Sequence, residues 1–214
     1  MISPAEARRL ALAVDETTEA EELPYYLVLD RVLAEDCGSL KAGTALGPGE
    51  IGLLVGQGVV RPKVFAPAII GVVVARDQPP AEQGEDDERA DPLAAALVAA
   101  IQQAGAIPLD MGLVPLNAEL QGAAIVRALD SAHIVCLTGI NREDDRARLR
   151  ETVRHLNGEI VFDGVAHEVA EHLTFARFPE GLLFVLPADL TKMLACFDLF
   201  VRPPARRLAG HAER

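Results

Sequence analysis

Tryptophan is absent from the 214 residues and tyrosine occurs only twice, which removes the aromatic platforms on which single-stranded nucleic acids stack. Cationic charge is also scarce. With 20 Lys and Arg against 32 Asp and Glu, the formal net charge is -12, and a chain so acidic has no basic face with which to displace counterions from a phosphate backbone. Nucleic acid is therefore excluded as a partner. No apolar run approaches the roughly 20 residues that cross a bilayer, since the stretch 55–74 is broken by Gln57, Arg61, Lys63 and two prolines; no membrane span is expected. The start, Met1-Ile2-Ser3-Pro4-Ala5-Glu6, lacks the basic and then apolar pattern of a secretion signal. The cysteines, Cys37, Cys136 and Cys196, are few, scattered and without metal-ligand spacing, so reduced thiols in a cytoplasmic protein are the expectation.

Half of the residues are apolar, enough for one substantial core. Ser3-Pro4-Ala5-Glu6 sets an N-cap serine, a proline at the first helical position and a glutamate three residues after the cap, a helix start. Further helices are expected over 25–36 and from Pro48 to Gly58. The run 64–75 reads as a strand buried on both faces. An acidic, Pro- and Gly-rich stretch, 77–91, cannot bury itself and reads as an exposed loop. Helices over 92–104, 118–132 and 144–156 then alternate with strands over 107–113 and 133–137, which implies parallel pairing and a three-layer αβα sandwich. Strands over 159–165, 173–177 and 182–186 follow, then a helix over 191–201 stopped by Pro203-Pro204. The expected organisation is a helical N-terminal segment over 1–61, an αβα domain over 62–205 and a tail over 206–214.

Ligands of such sheets sit outside the carboxyl ends of the strands, yet Thr138-Gly139-Ile140-Asn141-Arg142-Glu143-Asp144-Asp145 and Leu186-Pro187-Ala188-Asp189-Leu190 lack the clustered glycines of a phosphate cradle. Asn141 to Asp145 fits a rebuilt site and a plain acidic helix start equally well. His167-Glu168-Val169-Ala170-Glu171-His172 spaces its histidines five apart rather than the four of a zinc helix, so no metal is assigned there. The acidic residues Glu82, Glu85, Asp86, Asp87 and Glu88 have no EF-hand spacing and read as a solvated charge run. Cys136 and Cys196 have no adjacent base and read as packing residues, and His133 as a strand-start residue. Met111, Leu113, Val114 and Leu116 gather apolar side chains near one loop, and a homodimer is expected from them.

The order of several short signatures resembles the MoeA and gephyrin E-domain family, the molybdopterin molybdotransferases. They are Arg31-Val32-Leu33-Ala34-Glu35-Asp36, Lys41-Ala42-Gly43-Thr44, Gly49-Glu50-Ile51-Gly52, Asp110-Met111-Gly112-Leu113-Val114-Pro115, Gly158-Glu159-Ile160-Val161-Phe162-Asp163-Gly164-Val165-Ala166 and Phe197-Asp198-Leu199-Phe200-Val201-Arg202-Pro203. The resemblance implies the molybdopterin-binding αβα fold and a place in molybdenum-cofactor biosynthesis. It also implies a β-rich insert after Asp36, where this chain runs straight through Cys37-Gly38-Ser39-Leu40, so a complete composite cleft is not expected.

The same resemblance marks the site residues. Thr138 and Gly139 match the start of the family's glycine-rich loop, with Asn141 and Arg142 in place of its later glycines; Asp145 matches the acid beyond it. Asp77 and Asp91 match acidic residues after the first strand and at the following helix start. Glu168 and Glu171 stand where the family carries two lysines, and Asp189 where it carries an asparagine. One reversed contact about 4 Å from an anionic ligand shifts the interaction by ~4 kcal/mol at an effective dielectric of ~20. The expected protein is thus a non-catalytic relative acting through a protein partner or an altered ligand bound by Thr138, Gly139, Asn141, Arg142, Asp91, Glu168, Glu171 and Asp189. The alternative is an active protein that handles molybdopterin, or molybdate with Mg, with Asp77, Asp91 and Asp145 as its acidic groups and Arg76 and Arg142 as its cations.

Overall fold

The computed structural model describes residues 1–14, 16–77 and 91–212; the acidic residues Glu82 to Glu88 singled out above lie outside them. Helix α1 (Pro4–Ala11) opens as the sequence dictates, with the Ser3 hydroxyl accepting from the Glu6 amide and proline at the first position. Its buried Ala7 and Ala11 join the main core, so α1 packs against the sandwich. Strand β1 (Ala20–Glu22) pairs antiparallel with β2 (Lys63–Phe65), and α2 (Pro48–Gly56) covers a small core of Val28, Leu33, Leu46, Leu54 and Val64.

The helix expected over 25–36 does not form. A single 3-10 turn, Tyr25–Leu27, occurs there, after which the Leu33 amide donates to Thr44 and the Leu46 amide to Arg31. Val28, Leu29, Val32 and Leu33 mimic helical spacing, but pairing to distant backbone satisfies their polar groups instead. The continuous strand expected over 64–75 is likewise split, with β2 ending before Pro67 and β3 (Ile69–Arg76) beginning the main sheet.

Six strands form that sheet in the order β4-β3-β5-β8-β7-β6. They are β3, β4 (Ile107–Pro115), β5 (Ile134–Thr138), β6 (Glu159–Asp163), β7 (Thr174–Arg177) and β8 (Leu182–Val185). Pairing is parallel from β4 to β8, but β7 runs antiparallel to both neighbours, so the sheet is mixed. Alternate residues of β3 feed opposite faces, as a strand buried on both sides requires. Ile70, Val72 and Val74 meet α1 and α3 (Pro92–Gln103), while Val73 and Ala75 meet α4 (Ala118–Leu129) and α5 (Glu143–His155). Edge strand β4 carries Pro108 and Pro115, which only an edge tolerates. Met111 and Leu116 pack against one core and Leu113 against the other; the apolar cluster from which a dimer was expected is largely spent inside the fold.

The closing helix is not stopped by Pro203-Pro204. Helix α6 (Leu190–Cys196) passes through one π-turn, Phe197–Val201, into α7 (Arg202–Leu208). The turn resets the hydrogen-bond register so that the prolines fall in a new first turn, where their missing N–H groups cost nothing. Residues 206–208, expected as tail, are helical, and Leu208 is buried.

Candidate functional site

Because β3, β4, β5, β6 and β8 all end at one edge of the sheet, their following loops gather there. Arg76 and Asp77 after β3, Leu116 after β4, Gly139, Asn141 and Arg142 after β5, and Asp145 in the first turn of α5 line a cavity of about 300 Å³. Arg76 and Arg142 both line it.

The groups that matched the family motif are mostly engaged elsewhere. Thr138 is fully buried and its hydroxyl donates to the Pro187 carbonyl at 2.9 Å, tying β5 to the loop after β8. Gly139 adopts φ +94°, and a Cβ there would lie 2.1 Å from the Ala75 carbonyl oxygen. Its glycine is needed for close passage of two strand ends, whatever the ligand. Asp91, with its side chain only 7% exposed, caps α3 by accepting from the Leu93 amide at 2.8 Å while its other oxygen accepts from Arg76 Nε at 2.8 Å and Nη2 at 2.5 Å. Both carboxylate oxygens are committed, and Arg76 is held and neutralised at the cavity wall. Asp189 caps α6, accepting from the Lys192 amide at 2.9 Å.

At the start of α5 most charges pair along the helix. Glu143 accepts from Arg146 at 2.8 Å and Arg150 at 2.6 Å, and those guanidinium groups hold its carboxyl down at about 2. Asp145 pairs with Arg148 at 3.0 Å. Arg142, the residue preceding the helix, offers no side-chain cap; its carbonyl accepts from the Arg146 amide, but neither its side chain nor that of Asn141 makes a hydrogen bond or ion pair among the described residues. A small anion is the chemistry this pair can meet.

No protein-family model matches the chain. A molybdopterin molybdenumtransferase of Nostoc sp. is 28% identical over 183 residues, taking in 81% of this chain and 41% of the relative. Among solved structures, a molybdenum cofactor biosynthesis protein from Pyrococcus furiosus superposes with a TM-score of 0.75 at 22% identity, over 100% of this chain and 74% of that one. The molybdopterin biosynthesis moeA protein from Pyrococcus horikoshii gives 0.80 at 16% identity, over 98% and 80%. The chain is similar in sequence to the Nostoc molybdopterin molybdenumtransferase and in fold to the MoeA-type structures. It spans about two fifths of the length of the Nostoc relative.

Against the MoeA-like frame, the reversed charges lie apart from the cavity. Glu168 and Glu171 are exposed on the turn between β6 and β7, and neither lines the wall formed by Arg76, Arg142 and Asp145. That turn packs instead on the start of the chain and on α6, through the Ile2 to Val165 bridge and a Cys196 thiol that donates to the Val169 carbonyl at 3.2 Å. His167 and His172 are exposed on the same turn, and no group of three or more His, Cys, Asp or Glu side chains is placed to hold a metal among the described residues. Burial pushes the Cys136 thiol far up and that of Cys196 up to about 12, so both are protonated packing groups. No helix among the described residues is long and apolar enough to cross a membrane. One cavity residue was absent from the residues the sequence assigned to the site: Leu116, which an apolar reading assigned to a dimer; Arg76 had entered only as a cation of the alternative reading, by its place at a strand's carboxyl end.

Proposed function

We propose that this is a molybdenum-cofactor-related, MoeA-like domain that does not insert metal and acts through a partner or an altered ligand. The observation that carries the reading is the Arg76 to Asp91 pair. At the strand-end cavity where the family's phosphate-bearing ligand would need cations and free amides, Arg76 is already neutralised and Gly139 is packed against Ala75. The carboxylates of Asp77 and Asp145 share the same wall. Molybdopterin does not fit this donor set. Binding of purified molybdopterin, followed by fluorescence, should be weak, and metal insertion should not occur; submicromolar binding lost in Asp77→Ala or Asp145→Ala would overturn the reading.

A second reading, retention of a smaller anion such as molybdate, is favoured by Arg142 and Asn141, which line the cavity with side chains that have no partner among the described residues. Molybdate binding abolished by Arg142→Gln would bring it forward. A cytoplasmic location accords with free cysteines. Self-association is part of the proposal, with the exposed Tyr26, Leu27 and Leu29 offering more apolar surface than the segment around Met111; a monomer mass by light scattering at micromolar concentration would remove it.

A further inference from the structure

A second cavity, of about 450 Å³, lies away from the strand ends and is lined by Arg8 of α1, Arg202, Arg206 and Arg207 of α7, His211 and Asp30. Its volume suits a small molecule. Among the described residues four guanidinium groups and one carboxylate line it, in a chain whose formal net charge is -12, so the charge of this lining runs against that of the molecule. Arg206 pairs with Asp30 at 3.1 Å and Arg202 with Asp198 at 2.8 Å, whereas Arg207 Nε donates to the neutral Val14 carbonyl at 3.0 Å. Arg202 Nε is buried with no hydrogen-bond partner among the described residues, a donor still to be satisfied. Arg206 Nη2 donates to His211 Nδ1 at 3.0 Å, which fixes both the guanidinium plane and a neutral ring; burial and the Arg206 charge hold that imidazole below its ordinary value.

We propose that this cavity binds a small multivalent oxyanion, phosphate-bearing or polycarboxylate, through the forked donors of Arg8, Arg202, Arg206 and Arg207. Planar guanidinium groups meet such oxygens two at a time, and several of them around one concavity select for more than one negative charge.

The full chain is titrated calorimetrically with pyrophosphate in one arm and citrate in the other, at matched ionic strength. Saturable binding of either supports the proposal, and the arm that binds names the source. Arg207→Gln should weaken it about tenfold or more, as loss of a charge-assisted contact does. Asp30→Asn should tighten it, because it removes the one carboxylate among the described lining residues while asparagine tolerates the φ of 58° at that position. This change in the opposite direction is not one that a folding defect produces. Arg142→Gln, at the strand-end cavity, should leave it unchanged and so separates this site from the one proposed above. No saturable binding in the millimolar range, binding lost in Arg142→Gln but kept in Arg207→Gln, or weakening in Asp30→Asn would each overturn the proposal.

Discussion

Helices α3 and α5 both start at the carboxyl edge of the sheet, on opposite faces, yet their first turns are used in opposite ways. The α3 start is closed: Asp91 is buried, accepts from two backbone amides and holds Arg76. At α5 the start is open, for Arg142 provides no cap and faces the cavity beside Asn141. Equivalent places in one topology thus serve structure on one side and leave donors for a ligand on the other. The difference lies in one residue, a carboxylate against a guanidinium, and substitution can exaggerate or erase it.

The largest effect is expected in the approach to the open end. Gly139→Ala combines an unfavourable φ with a Cβ 2.1 Å from the Ala75 oxygen, and should destabilise on the order of 4 kcal/mol by overpacking and backbone strain, read by urea unfolding. Breaking the closed end comes next. Asp91→Ala removes a helix cap worth ~1 kcal/mol and a largely buried ion pair, for a loss of about 2–3 kcal/mol. Asp91→Asn, which keeps a capping oxygen, should lose roughly half of that.

Converting the open end into a closed one should have the reverse sign. Arg142→Asp supplies the missing cap and should raise stability by about 0.5–1 kcal/mol while abolishing any anion retention in the cavity, a split visible by comparing thermal melts with ligand titration. The smallest effect is in pH. Glu143, held down at about 2 against an ordinary 4.5, contributes stability that is present above 4.5 and is lost as pH falls through that interval. His133, whose Nδ1 accepts from the Ile69 amide and whose pKa burial holds below 6.5, adds a component lost on acidification below 6.5. Stability rising on acidification through either interval would contradict these assignments.

Much of this contrast was legible before the fold was known, but not its use. A helix starting at Pro92 with an acidic residue before it was legible, and the structure has both; that Asp91 caps it while holding Arg76 could not be read across the intervening loop. Thr138-Gly139 was legible as a motif, although the buried hydroxyl bond to Pro187 and the contact with Ala75 assign it to the scaffold. Glu168 and Glu171 were assigned to the cleft by alignment, and their turn packs on α6 and the chain start instead. The segment 25–36 was misread because Val28, Leu29, Val32 and Leu33 keep helical spacing while the backbone of Val32 and Leu33 pairs with residues far along the chain.

By itself the sequence determined the sandwich, the buried strands of the parallel half and nearly every helix start, because caps, prolines and apolar periods act between residues a few positions apart. Only the tertiary structure decided which charges meet. Arg76 and Asp91 are 15 positions apart, and Arg206 and Asp30 are 176. Coulomb attraction and burial depend on distance in space, and folding alone sets that distance.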